Sequence, residues 1–334
     1  MTLRPVFTAL LLAAALTLPL AAHELGLVQV DAVFQKDGTY IVDFLADREH
    51  LVNTSPDAFL HKVRERAVLS FDGKRIVPRT AEISGTRLRL MGRTPSGVSS
   101  FTFADDAISG FFVLGLRNEG QSEKVTQWIE SGKSSAPFAL DRAVVPPSRW
   151  SIIALYLQLG FTHILPRGLD HVLFVLGLFL LAVQLRPVLW QISAFTLAHT
   201  ITLALTVYGV VSLPPRIVEP LIALSIVYVA VENVFTSKLH AWRPLVVFCF
   251  GLLHGMGFAG VLTGIGLPRS EFVPALLSFN AGVELGQLTV IVSAFLVLGL
   301  PFRKKPWYRR RIVIPGSLLI AAVGLYWAIQ RLAA

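Results

Sequence analysis

The rhythm of hydrophobic and polar positions changes twice along the chain. It opens with "MTLRPVFTALLLAAALTLPLAAHE", which has a basic start at Arg4, an apolar core over 6–18, and small residues at Ala21 and Ala22. That core is too short to span a bilayer and ends at Pro19, so the pattern predicts a secretory signal peptide over residues 1–22. From residue 23 to about 147 the period falls to two, as in β-strands. "LVQVDAVF" and "TYIVDFLA" flank Lys36-Asp37-Gly38, which predicts a hairpin. Ser55-Pro56-Asp57 reads as a helix start, with Phe59, Leu60 and Val63 on the apolar face of the helix that follows. The segments "VLSF", "RIV", "RLRLM", "SFTF", "FFVLGL" and "VTQWI" supply further short strands, the spacing of a β-sandwich.

After "VVPPSRW" (144–150) the runs become long and continuously apolar. Six stretches are long enough to cross a membrane: 169–185, 189–212, 217–236, 244–265, 272–300 and 312–330. A seventh, 151–165, spans only about 22 Å as a helix, against a hydrocarbon core of about 30 Å. It is therefore expected as a short re-entrant or surface helix. The fold class expected is thus a signal peptide (1–22), an extracytoplasmic β-sandwich (23–147) and a helical membrane bundle (148–334).

Composition agrees with a membrane protein: 54% of residues are hydrophobic and the mean hydropathy is +0.63. The formal charge of +9 raises nucleic acid as a partner, but its placement excludes that reading. Residues 23–150 carry 16 basic and 16 acidic residues, so the excess belongs to the membrane half. With 151–165 not crossing, Arg186, Lys238, Arg243, Arg303, Lys304, Lys305, Arg309, Arg310 and Arg311 fall on the cytoplasmic side. Arg167, Arg216, Arg269 and Arg331 fall outside, and nine against four is the positive-inside bias. The expected address is the inner membrane, with the sandwich and the C-terminus on the extracytoplasmic side. Cys249 is the only cysteine, so no intrachain disulfide forms, and within an apolar run it is expected to act as a small core hydrophobe.

The chemistry lies in the few polar residues of the apolar runs. Asp170, His171, His199, Glu219, Glu232, His254 and Glu284 stand within or beside them, accompanied by Asn233, Asn280 and Gln287. Ionisable groups at such positions face a bundle interior and mark substrate paths, relays or metal sites. Imidazole with carboxylate is a ligand set for zinc, nickel, copper or iron. His163, Asp170 and His171 bracket a Pro-Arg-Gly turn, so they converge only if that turn folds back. The competing readings are local: Asp170 as a helix cap, and His199 and His254 as interhelical hydrogen-bond partners. His50, His61 and His240 are expected at the surface. A mature chain beginning at His23 would offer an amine and an imidazole to Cu(II), with His50 and His61 as partners.

"HILPRGLDHVLFVLGLFLL", "TLAHTITL", "GLLHGMGFA" and "FNAGVELGQL" resemble the HupE/UreJ family of membrane proteins, in its branch with a long extracytoplasmic N-terminal domain. The resemblance implies handling of a divalent transition metal, nickel above all, as a permease or as an accessory that supplies metalloenzyme maturation proteins. The chain departs from the family pattern twice. Six residues rather than five separate His163 from the Asp170-His171 pair, and Phe250 and Gly257 stand at a histidine and a glutamate position. The metal-site residues expected are His163, Asp170 and His171 at an outer site, with His199, His254 and Glu284 deeper. Two other functions fit the residues: an intramembrane metal-dependent hydrolase with Glu232 or Glu284 as base, and a membrane-anchored partner-binding or sensory protein. No HExxH motif supports the first, and an anchor needs no buried ionisable groups.

Overall fold

The computed structural model describes residues 26–45, 56–106, 110–121, 124–141, 148–181, 184–265 and 271–333. The predicted signal peptide, His23 and His50 lie outside them. The N-terminal region is β-rich. A six-stranded sheet has the order β5-β6-β2-β1-β8-β9 and a four-stranded sheet the order β10-β7-β3-β4. The strands of the first are β1 (Gly26–Phe34), β2 (Thr39–Leu45), β5 (Thr80–Ser84), β6 (Arg87–Arg93), β8 (Gly110–Asn118) and β9 (Val125–Glu130). Those of the second are β3 (Val68–Phe71), β4 (Lys74–Ile76), β7 (Ser100–Ala104) and β10 (Phe138–Ala139).

The Asp-Gly hairpin forms as its pattern predicts, with β1 and β2 antiparallel and Gly38 at φ 79°, a conformation open to glycine. Alternate residues point inward, as the period of two requires: Val28, Val30 and Ala32 from β1, and Tyr40, Val42 and Phe44 from β2. They meet Leu69, Phe71, Phe101 and Phe103 of the second sheet in one core, where Phe44 and Phe103 pack with ring centroids 5.7 Å apart. The predicted helix is α1 (Pro56–Arg66), with Asp57 in its first turn and Phe59, Leu60 and Val63 buried.

The C-terminal region is helical, with α2 (Arg149–Ile164), α3 (Leu169–Leu181), α4 (Leu185–Val207), α5 (Pro215–Phe235) and α6 (Arg243–Ile265). Then come α7 (Phe272–Ala294), which continues through a π-helical stretch to Phe302, and α8 (Ile314–Ala333), preceded by a π-helical turn Arg309–Val313. Among the described residues, four helices are long and apolar enough to cross a membrane: Leu185–Val207, Pro215–Phe235, Phe272–Phe302 and Arg309–Ala333. A fifth is added if α2 and α3, bent by 68° at their junction, are one broken span. The stretch expected as a full span over 169–185 is thus shorter, since the 13 residues of α3 reach only about 20 Å.

Glycines set the helix pairing. A Cβ at Gly282 would lie 2.1 Å from the Leu157 carbonyl oxygen, and one at Gly286 would lie 2.7 Å from the Ile164 Cβ. Contacts that climb together in this way make α2 and α7 parallel and nearly touching. Gly251 meets the Phe195 carbonyl, and Gly255 the His199 carbonyl, so α4 and α6 are parallel too. Both pairs use two glycines four apart, the spacing that lets helix backbones meet in lipid. The helices α5 and α8 run antiparallel, with Asn233 bonded to Ser317 near one end and Arg331 paired with Glu219 near the other.

Exposed aromatics collect at the two ends of the bundle. Trp150 and Tyr208 mark the end where Arg149 pairs with Glu271; Trp190, Phe235 and Trp242 mark the end where α6 begins. Such rings sit at headgroup level. Cys249 faces outward from the bundle rather than into a core, because its helix buries the opposite face against α4. Trp128 of β9 packs against the helical core and joins the two regions.

Candidate metal centre

The site begins at the break between α2 and α3. His163 occupies the last turn of α2, and the chain turns back through Leu165 and Pro166. Gly168 permits the return, because a Cβ there would lie 2.2 Å from the His163 carbonyl oxygen. The first turn of α3 then carries Asp170 and His171. This is the fold-back that the sequence required, and it brings the His163 and His171 rings to a centroid distance of 4.7 Å.

His199 arrives from α4 and His254 from α6. The rings of His163 and His199 are 6.2 Å apart, and those of His171 and His254 are 4.8 Å apart. Instead of an outer group with deeper histidines beyond it, four imidazoles from four helices share one cluster. One nitrogen each of His163, His171 and His199 lie within 4.8 Å of one another. Around a single ion with nitrogen ligands about 2.05 Å away, tetrahedral donors stand about 3.3 Å apart, so modest side-chain shifts close the set.

Three of the rings are oriented from behind. His171 Nδ1 donates to Asp170 Oδ1 at 3.0 Å, and the same oxygen accepts from the His171 backbone N–H at 2.8 Å. Asp170 therefore both satisfies a backbone N–H of the first helical turn and holds the imidazole. His254 Nδ1 lies 2.9 Å from the Phe250 carbonyl oxygen, which can only accept. His199 Nδ1 lies 3.1 Å from Asn280 Oδ1, and Asn280 Nδ2 donates to the Leu276 carbonyl at 2.8 Å. With Nδ1 carrying the hydrogen, each Nε2 keeps its lone pair. The Nε2 atoms of His163, His171, His199 and His254 are all buried and without a hydrogen-bond partner. Buried polar atoms are normally paired, and four such nitrogens in one place are what a metal ligand set looks like.

Phenyl rings close the cluster. Phe258 sits 4.0 Å from the His163 ring, Phe195 4.9 Å from that of His254, and Phe174 5.5 Å from the latter. Phe279 stacks on His199 at 6.4 Å. Asn280 and these phenylalanines were not among the expected site residues. The sequence signals for Asn280 are its polarity within an apolar run and its place in "FNAGVELGQL".

Glu284 stands apart from the cluster. It accepts from Ser193 Oγ at 3.2 Å, at the edge of the α4–α7 contact. Glu232 pairs with Arg243, so neither acid considered as a catalytic base faces the imidazoles. His61 and His240 are exposed, the latter stacked on Trp242.

An α-helical bundle with several membrane-length helices, a buried histidine cluster and an attached β-rich region is consistent with a metal-related membrane protein. The family model described as HupE / UreJ protein matches residues 139–331, and the chain belongs to that family. Compared with curated proteins and with solved structures, the chain matches none.

Proposed function

We propose that this protein is a permease for a divalent transition-metal ion, nickel or a close relative, in the inner membrane. The four free Nε2 atoms carry the reading. His163, His171 and His199 bind the ion. His254 lends a fourth imidazole as the ion moves, and Asp170 and Asn280 keep the rings in their donating tautomer. A cluster looser than a closed tetrahedral cage suits conduction, which needs binding weak enough to release. Delivery to metalloenzyme maturation proteins on the cytoplasmic side follows from the family's association with such enzymes.

In this reading α2 and α3 form one broken crossing, which gives six crossings with α4 to α8. The parallel packing of α2 beside α7 supports it, and Gly177 of α3 meets Val229 of α5, which begins at the same end of the bundle as α7. Broken helices with a site at the break are a recurring device of transporters. The basic residues Arg186, Lys238, Arg303, Lys304, Lys305, Arg310 and Arg311 gather at the end where α6 begins, which is taken as cytoplasmic. The sandwich and the C-terminus are then extracytoplasmic.

The test is Ni2+, Zn2+ and Cu2+ binding by elemental analysis, followed by uptake into proteoliposomes. His171→Ala and His254→Ala are expected to abolish uptake while inserting normally. If the histidines only bridge helices, each change costs about 0.6 to 2 kcal/mol of stability and uptake persists. Normal uptake in both variants sinks the permease reading.

A further inference from the structure

A second polar cluster lies at the end of the bundle where α5 ends and α6 begins. Arg243, the first residue of α6, is 1% exposed, and its Nε stands 3.4 Å from Oε2 of Glu232. Its Nη2 donates to Asn233 Oδ1 at 3.2 Å. Asn233 Nδ2 donates in turn to the Gly177 carbonyl at 2.7 Å and to Ser317 Oγ at 3.2 Å. Nε and Nη1 of Arg243 and both carboxylate oxygens of Glu232 are buried with no hydrogen bond.

That is a poor way to stabilise a fold. Two charges have left water, and the pair that compensates them lacks aligned hydrogen bonds, so desolvation is only partly offset. The surroundings favour a cation. Glu232 sits in the last turn of α5, at the negative end of the helix dipole. Arg309 already caps that end through the carbonyls of Thr236 and Val234, at 2.8 Å and 3.0 Å. Glu232 is left to Arg243. Gly177 belongs to α3, six residues or about 9 Å along the helix from His171.

We propose that Glu232 is a second station for the transported divalent cation, held by Arg243 whenever the ion is absent. The proposal rests on the permease reading. An ion leaving the histidines carries twice the charge of the guanidinium and displaces it from the carboxylate. Asn233 Oδ1, released from Arg243, becomes a second oxygen ligand. When the guanidinium returns it expels the ion toward the basic end. A tethered competitor keeps the station's affinity low, which a conduction path needs.

The experiment measures Ni2+ stoichiometry on the purified full-length protein and Ni2+ flux in proteoliposomes. Wild type is expected to hold one ion per chain. Arg243→Gln removes the competitor and should hold two, and the charge-balanced double variant Glu232→Gln/Arg243→Gln should return to one. Glu232→Gln alone should keep the single ion at wild-type affinity while flux falls at least tenfold. One ion in a folded Arg243→Gln protein overturns the proposal. So does wild-type flux in Glu232→Gln, which decides the matter if Arg243→Gln does not fold. A wild-type protein that binds no Ni2+ overturns the histidine reading and this proposal together. One bound ion in wild type with no second in Arg243→Gln overturns this proposal alone.

Discussion

Asn280→Leu tests whether the histidine cluster is built to donate. Asn280 is not itself an expected ligand; it acts on His199 Nδ1 from 3.1 Å, with its own amide anchored on the Leu276 carbonyl. Leucine fills similar space and offers no acceptor, so the imidazole loses both its tautomer preference and its ring orientation. Removing such a supporting group lowers metal affinity by about 10- to 100-fold. That range corresponds to about 1.4 to 2.7 kcal/mol. The fold also loses a buried hydrogen bond and leaves the ring N–H unsatisfied, a cost of about 1 to 3 kcal/mol. Asn280→Asp is the control, because a carboxylate still accepts from Nδ1 and raises the basicity of Nε2. Affinity is read by competition for Ni2+ against a chromophoric chelator in detergent, with thermal unfolding on the same samples. A folded Asn280→Leu protein within twofold of wild type would refute the reasoning, as would an equal loss in the Asn280→Asp protein.

Three further outcomes are expected. Gly255→Leu should abolish a detergent-stable fold, since its Cβ alone would stand 2.4 Å from the His199 carbonyl oxygen, whereas Gly324→Ala, with a nearest neighbour at 3.0 Å, should lower the melting temperature only slightly. Reporter fusions after Ala334 should report an extracytoplasmic C-terminus, and fusions within 303–311 a cytoplasmic loop; the reverse pattern would move the sandwich to the cytoplasm. Hydrogen bonds from Ser100 and Ser99 hold the Asp72 carboxyl below its ordinary range. The sandwich is therefore stabilised by this group above about pH 4 and loses that contribution as the pH falls through the lower folded-state value. Asp72→Asn should flatten this acid limb in circular-dichroism melts, and an unchanged limb removes Asp72 from the account.

Much of the fold is legible in the residues because local rules act where tertiary forces agree with them. The Asp-Gly hairpin, the alternation in β2 and the Pro56-Asp57 helix start are of this kind. The strands β5 and β10 escape notice because the first is a half-exposed edge and the second only two residues long. The polar residues of the apolar runs announce a site, since lipid makes each one costly. Their grouping is not announced. His199 and Asn280 are 81 positions apart, and only the packing of α4 and α7 brings them together. Asn280 and Glu284 share a face by spacing, yet the small rotation between them sends one to the histidines and the other to Ser193. The Pro-Arg-Gly turn after His163 is legible but its 68° angle is not, because hydropathy reports how apolar a stretch is and not the angle at which it enters.

If the protein is a metal permease, the phenyl rings around the histidines have a consequence for what it refuses. An ion that reaches the imidazoles between Phe174, Phe195, Phe258 and Phe279 must leave its water behind, because the rings offer nothing in exchange. Ni2+, Cu2+ and Zn2+ recover that loss from nitrogen donors. Mg2+ dehydrates reluctantly, and Ca2+ wants six to eight oxygens, so neither recovers it here. On the permease reading, the abundant hard cations would thus be turned away because nothing at the imidazoles repays the cost of drying them.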